Sequence, residues 1–159
     1  MLPCYGDTPD AVIPVGVQLF SHTTRPRLPP GDSWGFVSPS DKSCIMLLRR
    51  LLGYLPLNNA EDPPVVASED PSDRMDSELD TLVPADPQKP YDMHRLIERI
   101  IDAGSWLEVH ADWARNMLIG FARLGGRVVG VVANQPAVLA GCLDIDASVK
   151  GARFVRFCD

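Results

Sequence analysis

Asn116-Met-Leu-Ile-Gly-Phe-Ala-Arg-Leu-Gly-Gly-Arg-Val-Val-Gly-Val-Val-Ala-Asn-Gln-Pro136 decides the reading of the fold, and Ala137-Val-Leu-Ala-Gly-Cys-Leu-Asp-Ile-Asp146 continues it. Two β-rich runs flank Gly125-Gly126, a dipeptide that supplies the positive φ angles of a tight hairpin. The second run, Val128 to Ala133, is almost wholly apolar and predicts a strand covered on both faces. Asn134-Gln135-Pro136 ends it, because proline has no N–H for a ladder and biases its predecessor towards extended geometry. A loop with Gly141 follows, and then Asp144 or Asp146 caps a helix. Strand, polar loop and helix together place backbone amides and small side chains at a strand end, where ligands commonly sit. The class is α/β.

The last helix places Ile145, Val149, Ala152 and Val155 along one face, and Phe154, Phe157 and Cys158 widen it. A helix apolar over so much of its surface expects cover on several sides. One hairpin and one helix cannot supply that cover. The sequence therefore reads as cut from something larger, or as docked tightly onto other chains.

Bulk properties narrow the function classes. The 159 residues make about one domain, and 45% hydrophobic with 23% charged residues is an ordinary globular balance. A net charge of −6 without Lys/Arg clusters argues against nucleic acid as a partner. Cys4, Cys44, Cys142 and Cys158 form no C-x-x-C pair, so no metal centre is expected and reduced, mostly buried thiols are. The start lacks the basic and apolar regions of a signal peptide. No apolar run approaches the roughly 18 residues that span a bilayer, so no membrane association is expected.

In chain order, residues 1–39 are poorly patterned, with candidate strands at Val15 to Phe20 and Trp34 to Val37 and a loop from Arg25 to Asp32. Ser40-Asp41 opens a helix with Leu48, Leu51, Leu52 and Leu55 on one face; Gly53 weakens its end and Pro56 closes it. Residues 60–90 read as an acidic, Pro-rich interdomain linker. Its nine acidic residues against Arg74 and Lys89 give a net of −7, and six prolines keep it extended and solvated, with at most a short turn around Ser72 to Leu82. No D-x-D-x-D-G loop makes it a calcium site.

Asp92 caps the next helix, with Met93, Leu96, Ile97, Ile100 and Ile101 inward and Gly104 as its stop. His94 and Glu98 read as an outer surface pair rather than two metal ligands. Trp106 to Val109 predicts a short strand, and Trp113 packs on the sheet. His110 and Asp112 are loop residues with no third member for a triad.

Tyr54-Leu-Pro-Leu-Asn-Asn59, Asp70-Pro-Ser-Asp-Arg74, Glu78-Leu-Asp-Thr-Leu-Val-Pro84, Tyr91-Asp-Met93, Val129-Gly-Val-Val-Ala-Asn-Gln-Pro136 and Gly141 through Asp159 occur in an order that resembles one family. It is the carboxyltransferase (β) subunit of biotin-dependent acyl-CoA carboxylases, of the propionyl-CoA carboxylase type, and the likeness covers about residues 40–159. Residues 1–39 depart from it: Ser21-His22-Thr23-Thr24 is similar to the family's approach, and Arg25 to Asp32 interrupts it.

The resemblance implies a portion of a two-domain crotonase-like (ClpP/crotonase) fold. Residues 40–59 would be the last helix of the N-terminal domain, 60–90 the linker, and 91–159 the truncated start of the C-terminal domain. It implies transfer of a carboxyl group from carboxybiotin, carried on a partner domain, to the α-carbon of an acyl-CoA. A biotin carboxylase and biotin carrier (α) subunit and a homo-oligomer are the implied partners, in a bacterial cytoplasm or a mitochondrial matrix.

Such chemistry needs preorganised donors for the charge on the enolate and on the ureido oxygen. The family's glycine-rich turns that supply them fall outside this sequence, so no residue here is expected to be catalytic, and the chain alone is expected to be inactive. Asn134, Gln135, Pro136, Gly141 and Cys142 are the candidate pocket lining, against the simpler view that they turn the chain. Asp144 and Asp146 are caps before they are catalysts. The rival reading is a non-catalytic piece that binds full-length carboxyltransferase subunits.

Overall fold

A computed structural model describes residues 36, 38–58, 60–71, 73–86 and 89–159. The candidate strand at Val15 to Phe20 and the loop at Arg25 to Asp32 lie outside the described residues, as does most of Trp34 to Val37. In order come α1 (Asp41–Leu52), α2 (Leu79–Leu82), α3 (Met93–Ile100), β1 (Leu107–Val109), β2 (Met117–Leu124), β3 (Arg127–Asn134) and α4 (Ile145–Cys158). The three strands form one antiparallel sheet in the order β1-β2-β3.

The Gly125-Gly126 turn joins β2 and β3 as the dipeptide predicts, with φ of 57° and 78°. Leu124 then pairs with Arg127, and the ladder runs to Met117 opposite Asn134. Side chains alternate across the sheet. Leu107, Val109, Met117, Ile119, Phe121 and Val128 face one layer, made by Leu47, Leu51, Tyr54 and Leu55 from α1 and its exit and by Ala147 and Phe154 of α4. Trp106, Leu118, Ala122, Val129, Val131 and Ala133 face the other, filled by Met93, Ile97 and Ile101. The sheet is thus sandwiched between helices. Each fully buried Leu or Phe contributes roughly 1.5–3 kcal/mol, so the two layers supply most of the favourable term in folding.

Several expectations change here. The strand buried throughout is β2, not β3: β2 is covered from Met117 to Ala122, whereas β3 alternates between half-buried and exposed, with Val132 43% exposed. β2 is central and flanked on both edges, while β3 has β2 on one side only among the described residues. In α1, Cys44 and Leu51 point inward and Leu52 lies outside. In α3, Ile97 is buried and Ile100 is exposed; the helix stops at Ile100, and Gly104 sits in the turn beyond.

The largest reversal is in α4. Ala147, Lys150, Gly151 and Phe154 face the sheet, and Ile145, expected inside, is 82% exposed. Gly151 decides this: a β-carbon there would come within 2.8 Å of the Met117 sulfur, so only glycine lets the helix approach so closely.

Helix ends follow the local chemistry. Ser40 and Ser43 form a reciprocal capping box on α1, Asp92 accepts the His94 N–H of α3, and Asp144 accepts the Ala147 N–H of α4. The acidic segment is not a freely solvated connection. Val66 N–H donates to Gly126 O at 3.1 Å, Asp70 accepts from Ala103 N–H at 3.0 Å, and Arg74 donates to the carbonyls of Arg99 and Ile101. Arg99 pairs in turn with Asp76 and Glu78. Arg123 fastens the far end, donating to Gly53 O, Pro64 O and Gly126 O beneath the Tyr54 ring. The segment is a strap tied across the hairpin and the end of α3.

Candidate functional site

The last residue of β3, Asn134, and the loop from there to α4 hold all five residues that the sequence nominated. It closes on itself: Asn134 Nδ2 donates to Gly141 O at 2.9 Å, Val138 N–H to Gln135 O, and Gly141 N–H to Val138 O. Leu139, Ala140 and Gly141 follow one another with φ of 48°, 52° and 71°. Two successive left-handed residues that are not glycine cost roughly 1–3 kcal/mol each, and such strain clusters at binding and catalytic loops. Asn134 and Cys142 are exposed, Pro136 is half-buried, and Gln135 and Gly141 are buried.

The five do not converge on one point. Asn134 and Gly141 meet across the loop, and Cys142 O accepts from Asn116 Nδ2 at 2.7 Å. Gln135 turns away from them, 4% exposed, and reaches the start of α3. Its Oε1 accepts the Met93 N–H at 3.0 Å, and its Nε2 donates to Asp92 Oδ1 at 2.7 Å.

There it meets His94, whose Nε2 lies 2.8 Å from Glu108 Oε2 and whose Nδ1 lies 3.0 Å from Asp92 Oδ1. His94 therefore bridges helix, sheet and loop, and is not an outer partner of Glu98. Burial works against its charge, but the hydrogen bonds to Glu108 and Asp92 outweigh it and lift His94 above the usual 6.5. Asp92 is held low despite some desolvation, by donors from Gln135 and His94.

Two further buried polar residues were not nominated. Asn116, 2% exposed, donates to Cys142 O and to Asp144 Oδ1, and its own carbonyl accepts the Gln135 N–H at 2.9 Å. It thus holds both ends of the loop. Lys150 has no exposed surface, and its Nζ lies 3.0 Å from His110 O, 2.8 Å from Trp113 O, 3.3 Å from Ala114 O and 2.7 Å from Met117 O. Desolvation pushes this ammonium down to about 8, opposed by the Glu108 charge, and it stays protonated at neutral pH.

The β1–β2 loop presents those carbonyls by taking positive φ at His110 and Ala114. His110 packs edge-on against Trp113; burial, then the charges of Lys150 and Arg153, lower it to about 4. A signal for Lys150 existed in the sequence: it stands beside Gly151 and between Ala147 and Phe154, at the spacing of one helical face. Hydropathy alone hides it. Among the described residues no group of three His, Cys, Asp or Glu side chains could hold a metal ion, and no helix is long and apolar enough to cross a membrane.

The layered helix–sheet–helix arrangement and its strand-end loop belong to the α/β, crotonase-like class of carboxyltransferases. Residues 34–159 match the carboxyl transferase domain, and the chain belongs to that family. Relatives include the propionyl-CoA carboxylase beta chain of Roseobacter denitrificans, 56% identical over 120 residues, covering 76% of this chain and 24% of that one. The mitochondrial propionyl-CoA carboxylase beta chain of Sus scrofa is 49% identical over 120 residues, covering 76% of this chain and 22% of that one. Among solved structures, the transcarboxylase 12S hexamer with methylmalonyl-coenzyme A and methylmalonic acid bound superimposes with a TM-score of 0.76 at 44% identity. It covers 79% of this chain and 24% of that one. The chain therefore spans about a quarter of the length of the curated relatives it matches.

Proposed function

We propose that this chain is part of a carboxyltransferase subunit of propionyl-CoA carboxylase type. The complete subunit would move a carboxyl group from carboxybiotin, delivered by a carrier on a biotin carboxylase partner subunit, to the α-carbon of an acyl-CoA. One observation carries the reading: 56% identity to a propionyl-CoA carboxylase beta chain over 120 residues. On this reading 40–59 closes an N-terminal domain, 60–90 is the strap to the next, and 91–159 opens a C-terminal one. A bacterial relative and a mitochondrial one support a bacterial cytoplasm or a mitochondrial matrix as its location.

The chain's own contribution is a wall of the biotin pocket. Asn134, Pro136, Gly141 and Cys142 border it, with Gln135 and Asn116 fixing the loop from behind. Carboxybiotin supplies the activated carboxyl group; the residues here orient it and exclude water. Stabilising the developing charge needs preorganised donors, and none is assigned to the residues named here, so the isolated chain is expected not to decarboxylate methylmalonyl-CoA with free biotin.

The decisive experiment replaces the matching segment of the Roseobacter denitrificans beta chain with residues 40–159 and assays propionyl-CoA carboxylation. A working chimera that loses activity when Asn134→Ala is added supports the proposal. A chimera that assembles but cannot carboxylate refutes it.

A second reading, a non-catalytic piece that binds full-length subunits, is favoured by the apolar surface left open. Leu139, Leu143, Ile145 and Val155 are each more than half exposed. Stoichiometric co-elution with an intact beta chain would support it, and separate elution would exclude it.

A further inference from the structure

His94 Nδ1 has two neighbours that make opposite demands. Asp92 Oδ1, an acceptor, lies 3.0 Å away, and Gln135 Nε2, a donor, lies 3.1 Å away. A proton on Nδ1 satisfies Asp92 and confronts Gln135; a lone pair satisfies Gln135 and confronts Asp92. No single state serves both. The other ring nitrogen is committed, since Nε2 lies 2.8 Å from Glu108 Oε2 and needs its proton in either state. The assignment of the Gln135 amide is fixed by its oxygen, which accepts from Met93 N–H at 3.0 Å and Ala137 N–H at 3.4 Å.

We propose that His94 is a proton-dependent latch on the loop after β3. Protonated, it ties Asp92 of the α3 cap to Glu108 of β1; on losing the Nδ1 proton it releases Asp92 and takes Gln135 as its donor. The proton leaves to water, Nε2–H stays on Glu108, and the Gln135 amide changes its hold from one acceptor to two. Gln135 transmits the change because it begins the loop: its N–H is fixed on Asn116 O, its carbonyl accepts the Val138 N–H, and its Oε1 holds Ala137 N–H.

The groups facing the ring are Asp92 at the α3 cap, Glu108 on β1 and Gln135 in the loop. Lys150 of α4 acts on the set through its attraction to Glu108. Only the statement that this loop borders a biotin pocket rests on the proposed function.

The test is a titration of the ¹⁵N-labelled 159-residue chain between about pH 5 and pH 9, across the range where histidine changes charge. The His94 ring nitrogens, the Gln135 side-chain amide and the Ala137 amide should move with one midpoint above 6.5. Glu108→Gln should shift all three midpoints down together, and His94→Phe should flatten the other two. The latch is overturned if Gln135 and Ala137 stay still while His94 titrates. It is equally overturned if Glu108→Gln leaves the shared midpoint in place. No substrate enters the measurement, so a dead chimera with intact coupling removes the pocket and leaves the latch.

Discussion

A lysine with no exposed surface needs its donors matched, and Lys150 finds four carbonyl oxygens between 2.7 and 3.3 Å. The desolvation cost is met by that ring, and the β1–β2 loop is shaped around the ammonium in return. Lys150→Met removes every donor while keeping the stem, leaving buried carbonyls unpaired. It should destabilise the fold by about 2–4 kcal/mol, read as a lower urea midpoint at unchanged slope; a neutral effect would mean that water replaces the ammonium.

The two described histidines should separate cleanly by pH. His110 sits near 4, below its unfolded 6.5, so the unfolded chain binds the extra proton. Its contribution is complete above 6.5 and is lost as pH falls from 6.5 towards 4. His94 is raised, so its contribution is complete below 6.5 and is lost as pH climbs through its folded value. Imidazole shifts should show His94 titrating above 6.5 and His110 near 4; coincident midpoints would contradict both environments.

The hairpin and the strap depend on each other. Gly125 and Gly126 both have positive φ, but their surroundings differ. A β-carbon on Gly125 meets nothing within 4 Å, whereas one on Gly126 would fall 1.7 Å from Val66 O. Gly125→Ala should therefore cost about 1–2 kcal/mol from backbone strain alone. Gly126→Ala should cost more and also break the Val66–Gly126 hydrogen bond, releasing the strap. Hydrogen exchange at Val66 separates the cases: it should quicken in the second variant and hold in the first.

The ion pairs along the strap are partly exposed and hence screened. Arg99→Ala should raise exchange in residues 73–80 at low salt, and the difference from the parent chain should shrink near 1 M salt. The capping residues and the turn that set these elements were visible in sequence, because each acts within four positions. The strap's attachment was not, since its partners Ala103, Arg99 and Gly126 are distant in the chain.

At the scale of the whole molecule, α4 divides the apolar residues between two surfaces. Phe154 is buried against Phe121, at 5.2 Å between rings, in a layer shared with Phe36, Leu51 and Tyr54. The expectation of a core left half-built is thus met only in part: Phe154 shares a buried layer with Leu51 and Tyr54, while Ile145, Val155, Leu139 and Leu143 stay open. On the second reading proposed above, those four would contact a larger assembly. Charging it with Ile145→Asp and Val155→Asp should abolish capture by an intact beta chain without altering the circular dichroism spectrum; capture that survives would place the contact elsewhere.

Sequence by itself determined the hairpin turn, the caps of α1 and α3, the choice of Asp144 or Asp146 for that of α4, the polar loop after β3 and the family. These are local geometries, or long ordered runs of residue identity. Tertiary structure alone decided that β2 rather than β3 is the buried strand, that α4 turns Lys150 and Gly151 inward, and that Gln135 reaches back to His94. Each was a choice between faces with similar hydropathy, and the partner across the sheet, rather than anything local, broke the tie.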